Sequence, residues 1–168
     1  LVATSAALVG QGGPAPSLET LPVHGQVSMV AGPAGNSAVQ VGPQGVLIVD
    51  TMTDTLADGL VAQVRALGGA APIRYIVNTS ADADHVGGNE ALAKVSGGIV
   101  RGALGGRPAG PPLMILAHET VLERMGAPSG QQAAYSLDAW PTDVYAKDKD
   151  VFFNGGSTKI VHQPGAHT

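Results

Sequence analysis

The segment Asn78-Thr79-Ser80-Ala81-Asp82-Ala83-Asp84-His85-Val86-Gly87-Gly88-Asn89 carries most of the information in this chain. It follows the apolar run 73–77, which predicts a buried strand. A loop at the end of a buried strand can bring several side chains to one point, because the strand fixes the backbone while the loop curls. Gly87 and Gly88 permit close approach of the backbone. The segment therefore predicts a cluster of acceptor side chains.

The segment also resembles the metal-binding loop of the metallo-β-lactamase superfamily, whose pattern is N-T-H-x-H-x-D-H-x-G-G-N. This chain has the flanking residues, the Asp, the last His and both glycines, but Ser80 and Asp82 stand where the two leading histidines belong. Two further positions match in order along the chain. Asp50 corresponds to a family Asp behind the loop that orients a ligand, and His167 corresponds to the next metal ligand.

The resemblance covers about residues 27–168 and corresponds to the first half to two-thirds of a family domain. It implies an α/β fold, specifically the N-terminal half to two-thirds of a metallo-β-lactamase-like αββα sandwich. Periodicity and turn residues agree with an α/β fold. They predict strands at 27–30, 37–41, 46–49, 73–77, 113–117, 144–145, 151–153 and 158–161, helices from about 53 to 68, 90–95 and 119–125, and a surface loop at 96–112.

The resemblance implies a divalent-metal site with Asp82, Asp84, His85 and His167 as candidate ligands. Asp50 and Ser80 are expected beside these ligands. In the family, the leading histidines and the His167 position hold one zinc ion, and the Asp84 and His85 positions hold a second together with a later histidine. A serine hydroxyl is a poor zinc ligand, and a catalytic zinc usually has three protein ligands.

The identity of the metal stays open on these residues. Zinc is the family's ion, the additional carboxylate favours manganese or iron, and the absence of a metal is also compatible with the lost histidines. If a metal binds, the resemblance makes Asp84 the catalytic residue, which would orient the attacking water and pass its proton to the leaving group. Alternatively, Asp82 and Asp84 are solvated loop carboxylates near the start of the following helix.

Composition excludes several classes of protein. The net charge is −4 and no basic block occurs, which argues against a nucleic-acid partner. The chain has no cysteine, so disulfides and thiolate metal sites are excluded. His24 and His118 are interpreted as non-functional, His118 because it precedes a helix start, and His162 is interpreted as structural.

The N-terminal residues 1–10 form an apolar run, followed by a flexible segment rich in Gly and Pro. This pattern is typical of the end of a signal peptide, so residues 1–20 are interpreted as a signal-peptide remnant and residues 21–168 as the partial domain. About 20 apolar residues are needed to span a bilayer, and this run has half of that. We therefore expect an extracytoplasmic protein, periplasmic or secreted, with membrane association through the N-terminus as an alternative.

Two functions remain open from the sequence. The first is a metal-dependent hydrolase with a variant site. The second is a non-catalytic structural or accessory subunit of an extracytoplasmic or membrane-associated assembly, that is, a pseudoenzyme. A partial domain exposes apolar surface, so a protein partner that covers it is also expected.

Overall fold

A computed structural model describes residues 17–97, 111–127 and 135–166. Within these ranges, seven strands form one sheet in the order of the sequence; the first four pair antiparallel with one another, and the fourth to the seventh pair parallel. Two more strands form an antiparallel hairpin. The strands are β1 Glu19–His24, β2 Val27–Gly32, β3 Gly35–Gly42, β4 Gly45–Val49, β5 Ile73–Asn78, β6 Met114–His118, β7 Asp143–Tyr145, β8 Lys149–Phe153 and β9 Gly156–Ile160.

In the part of the chain that the structure describes, four α-helices connect or follow these strands. They are α1 Ala57–Gly68, α2 Ala83–Val86, α3 Asn89–Val95 and α4 Glu119–Gly126, and short 3-10 turns occur at Asp54–Leu56 and Leu137–Ala139. No helix within the described ranges has the length and apolar character needed to cross a membrane.

The main sheet is covered on both faces. Alternate residues of β4 point to opposite sides, so Val46 and Ile48 pack in a core with α1 and α3, while Leu47 packs with Val151 and Phe153 of the hairpin. Layers of helix, sheet and second sheet therefore follow one another, as expected for part of an αββα sandwich. The uninterrupted apolar run at 46–49 is explained by this double coverage.

Apart from three local differences, the predicted strands and helices are present with bounds shifted by one or two residues. Strand β1 was not predicted; it is an exposed edge strand that contains Pro22, which edge strands tolerate. The short helix α2 occurs where a curled loop was expected. Helix α1 begins at Ala57, after a 3-10 turn, whereas the sequence predicted a helix from about 53. Of the predicted loop 96–112, residues 98–110 lie outside the described residues.

Asn154 attaches the hairpin to the main sheet. It lies at the turn between β8 and β9 with φ of 54°, followed by Gly155 with φ of 80°, as in a type I′ turn. Its side-chain oxygen accepts a hydrogen bond from the backbone N–H of Gln44 at 2.9 Å, and its amide nitrogen donates to the carbonyl of Gly45 at 3.1 Å. The second sheet is thus fixed to the turn between β3 and β4.

We expect Asn154→Ala to lower the free energy of unfolding by about 1–3 kcal/mol, because it removes these hydrogen bonds and places alanine at positive φ. Asn154→Gly also loses the hydrogen bonds but accepts the backbone conformation, so it should cost less. Urea denaturation of both variants measures the difference. If both variants were as stable as the wild type, Asn154 would not be what attaches the hairpin to the main sheet.

Candidate functional site

A buried pair of asparagines holds the two ends of the 78–89 segment together. Asn78 ends β5 and Asn89 begins α3, and neither residue has any exposed surface. The Asn89 amide donates to the Asn78 side-chain oxygen at 2.8 Å, and the Asn78 amide donates to the Asn89 oxygen at 3.2 Å. The Asn89 oxygen also accepts from the hydroxyl of buried Thr51 at 2.9 Å. The flanking asparagines of the motif therefore close the loop.

The backbone of His85 is fixed by the same network. Its carbonyl oxygen accepts hydrogen bonds from the Thr51 N–H at 2.9 Å, the Thr51 hydroxyl at 3.1 Å and the Asn78 amide at 3.0 Å. A Cβ on Gly88 would lie 2.4 Å from the Thr51 carbonyl oxygen, and one on Gly87 would lie 2.4 Å from the Asp54 nitrogen. The expectation of close backbone approach at both glycines is confirmed.

Asp50 orients the ring of His85. Its carboxylate accepts from the Thr79 N–H at 2.8 Å and the Thr79 hydroxyl at 2.6 Å, and it lies 2.9 Å from His85 Nδ1. Asp50 is 8% exposed and has φ of 57°, a conformation that non-glycine residues seldom adopt. A carboxylate bonded to one ring nitrogen of a histidine directs the other nitrogen toward a ligand.

The other nitrogen of His85 faces Asp84. His85 Nε2 lies 3.7 Å from Asp84 Oδ2, and the Asp84 side chain is 47% exposed. These two side chains are thus adjacent and reachable from solvent, with His85 pre-oriented by Asp50. This arrangement can supply two ligands to a metal ion.

The residues at the two leading positions are bound to each other and to an arginine. The Ser80 hydroxyl donates to Asp82 Oδ2 at 2.7 Å, and Arg124 Nη2 of α4 donates to Asp82 Oδ1 at 2.9 Å. Both oxygens of the Asp82 carboxylate therefore already have partners. A positively charged guanidinium at Asp82 also disfavours a nearby metal cation. Ser80 and Asp82 do not fit a metal ion in this arrangement.

The complete predicted ligand set is not brought together within the described residues. Among residues 17–97, 111–127 and 135–166, no group of three or more His, Cys, Asp or Glu side chains could hold a metal ion. Asp84 and His85 are adjacent, Asp82 is directed to Arg124, and His167 lies outside the described residues. The Asp84–His85 pair fits part of a metal site and needs at least one further ligand.

A second cluster lies at the same edge of the sheet and was missed by sequence reasoning. His118 ends β6 and His162 follows β9, and His118 Nε2 lies 2.6 Å from His162 Nδ1. The ring of Tyr145, which ends β7, packs edge-on against His118 with a centroid distance of 5.8 Å. His118 also caps α4, accepting from the Thr120 N–H at 3.3 Å, as its position before a helix predicted.

The location of both clusters follows from the topology. Asp50 and Thr79 come directly after β4 and β5, and His118 and Tyr145 are the last residues of β6 and β7. These four strands are parallel neighbours, so their carboxyl ends meet at one edge of the sheet. Ligands of α/β proteins characteristically bind at this edge.

The model of the metallo-β-lactamase superfamily matches residues 31–168. The chain belongs to this superfamily. The predicted family membership is confirmed by this match, and the partial αββα fold agrees with it. No curated protein matches the chain.

Solved metallo-β-lactamase structures share the fold at low sequence identity. A class B3 di-zinc enzyme from an Alaskan soil metagenome is 16% identical with a TM-score of 0.67, covering 87% of this chain and 52% of its own. A HARLDQ-motif mutant from Cronobacter sakazakii is 19% identical with a TM-score of 0.63, covering 84% and 52%. A B3 enzyme with an active-site glutamic acid is 19% identical with a TM-score of 0.62, covering 85% and 51%. The chain thus spans about half the length of these structures.

Removal of the buried amide pair should destabilise the whole loop. Asn89→Ala leaves the side chains of Asn78 and Thr51 without their shared partner, and we expect a loss of about 1–3 kcal/mol in the free energy of unfolding. Asn36→Ala, at an exposed strand position, is the matched control and should change stability little. Chemical denaturation compares the two. Equal stability of the two variants would show that the pair does not hold the loop.

Proposed function

We propose that this chain is a hydrolase-type domain of the metallo-β-lactamase superfamily with a variant site that binds one divalent metal ion. The supporting observation is the Asp50–His85–Asp84 arrangement, in which Asp50 fixes Nδ1 of His85 and Nε2 faces Asp84 at 3.7 Å. We assign His167, which in the family pattern belongs to the neighbouring ion, as the third ligand of this single site. The Asp84, His85 and His167 set reaches the three ligands typical of a catalytic site.

Asp82 is left out of this ligand set. Its two oxygens are bound by Ser80 and Arg124. The guanidinium therefore provides the positive charge that a metal ion would provide at the first position of the family site. Variation of the active site occurs among proteins of this fold. One solved relative is described by a HARLDQ motif and another by an active-site glutamic acid.

The proposed chemistry is hydrolysis. A divalent ion supplies a water of lowered pKa and polarises a carbonyl or phosphoryl oxygen when it is bound. Asp84 has a half-exposed carboxylate next to this position, where it would orient the water and accept its proton. Zinc is the ion of the di-zinc relative, and the carboxylate in the set also accommodates manganese or iron.

A non-catalytic, accessory role is the second candidate, and one observation favours it. Phe152 is 78% exposed on the outer face of the β8–β9 hairpin, where its neighbours Val151 and Phe153 point inward. An exposed phenylalanine on the face of a sheet is typical of a surface that binds another protein. In this role the domain would bind a protein partner of an extracytoplasmic or membrane-associated assembly, and the Asp84–His85 pair would carry no metal.

Metal content separates the two candidates. Elemental analysis of the chain purified without added metal should give about one equivalent of zinc, manganese or iron. The Asp84→Ala/His85→Ala double variant should give none, while Glu90→Ala, which alters a neighbouring exposed carboxylate, should retain the ion. Absence of metal from the wild-type chain, also after dialysis against zinc, would reject the hydrolase and favour the accessory role.

Restoring the leading histidines tests why the first metal position is closed. Ser80→His/Asp82→His/Arg124→Gln recreates the family pattern and removes the competing guanidinium, so the zinc content should rise by about one equivalent after dialysis. The Arg124→Gln variant alone should show no rise, because Ser80 remains a poor ligand. Native mass spectrometry counts the bound ions. An unchanged count in the triple variant would mean that the ion pair is not what excludes the metal.

A further inference from the structure

We propose that a cavity beside the Asp50–His85 pair binds the carboxylate or phosphate group of a small anionic molecule, held by Arg124 and His162. The cavity has a volume of about 390 Å³ and lies among the ends of β6, β7 and β9 and the start of α4. Pockets for small ligands begin at about 300 Å³. Assigning the anionic molecule as the substrate rests on the proposed function; the binding site itself does not.

The polar groups that line the cavity suit an anion. They include the guanidinium of Arg124, the imidazoles of His118 and His162, and the hydroxyl of Tyr145. No Asp or Glu occurs among the lining residues that the structure describes. Positively charged and hydrogen-bond-donating groups without a carboxylate recognise oxyanions. Val121, Ile160 and Pro164 provide apolar wall for the rest of the molecule.

The hydrogen bonds of the two histidines make His162 a donor. Nδ1 of His118 accepts the Thr120 N–H at the start of α4, so the proton of the neutral His118 ring resides on Nε2. This Nε2–H donates to His162 Nδ1 at 2.6 Å. The neutral His162 ring therefore carries its own proton on Nε2 and presents an N–H to a ligand. The fixed tautomers also argue against a metal between the rings, which would require a lone pair on both facing nitrogens.

Arg124 can bind an anion while it remains paired with Asp82. The pairing uses Nη2, and a guanidinium has five N–H donors in a planar fork. The remaining donors match the two oxygens of a carboxylate or phosphate. Arg124 would thus connect the anion to the Ser80–Asp82 pair in the metal loop.

Tyr145 adds a neutral hydroxyl to the lining of the cavity. Burial, together with the negative charge of Asp50, raises the pKa of Tyr145 above its ordinary value. The hydroxyl consequently keeps its proton at neutral pH and can donate. Thr79, which also lines the cavity, donates to Asp50. An anion in the cavity would therefore lie next to the Asp50–His85 pair.

Calorimetric titration with benzoate and with inorganic phosphate tests the proposal, with benzamide as the uncharged analogue of benzoate. We expect the wild-type chain to bind benzoate or phosphate, and to bind benzamide at least tenfold more weakly. Arg124→Gln and His162→Gln should each weaken the anion at least tenfold. Lys94→Gln removes a positive charge from an exposed position of α3 that does not line the cavity and should leave the affinity unchanged.

The same titration on the Asp84→Ala/His85→Ala variant distinguishes this proposal from the hydrolase proposal. Anion binding that persists in this metal-site variant supports the cavity site even if the chain binds no metal. Equal affinity for benzoate and benzamide, or no binding of either anion by the wild-type chain, would overturn the proposal whether or not the variants fold. An equal loss of affinity in Lys94→Gln would show that the effect of Arg124→Gln comes from net charge alone, and it would also overturn the proposal.

Discussion

The hydrogen-bonded amides of Asn78 and Asn89 are the interaction on which the rest of the site depends. They join the end of β5 to the start of α3, and no solvent reaches either side chain. A buried amide without a hydrogen-bond partner lowers the stability of the folded state. The chain between Asn78 and Asn89 therefore has to adopt a conformation that keeps the two amides paired. The closed loop presents the His85 carbonyl to Thr51 and brings the His85 ring to Asp50. The positions of Asp84 and His85 follow from this closure.

Within that loop, the two halves of the family's metal site, at Asp82 and at Asp84, differ in the group that lies beside the carboxylate. Asp82 is paired with the guanidinium of Arg124 and with the hydroxyl of Ser80. Asp84 lies beside His85 Nε2 and is half exposed to solvent. Asp82 already has a positively charged partner, so a metal ion would stabilise its carboxylate little further. Asp84 lies beside an oriented imidazole, so Asp84 and His85 can bind the same metal ion. In the proposed function, the loop therefore binds a metal ion at the Asp84–His85 half and keeps an ion pair at the Asp82 half.

The framework of this site could be predicted from the sequence, because its parts are close together in the chain. Residues 78–89 contain the amides, the glycines and the Asp84–His85 pair, and the apolar run before them identifies the strand. Arg124 could not be predicted, since it is 42 residues from Asp82 and an arginine on a helix gives no sign of its partner. The contact between His118 and His162, 44 residues apart, was missed for the same reason. One local signal was available and unused: Asn154-Gly155 is typical of a type I′ hairpin turn.

The most direct test of this account is the position of the metal in crystals of the chain grown with zinc, located by anomalous diffraction at the zinc edge. The account predicts a single ion bound by Asp84 and by Nε2 of His85, with Asp82 still paired with Arg124. An ion in contact with Asp82, a second ion in the loop, or no ion at this position would contradict it.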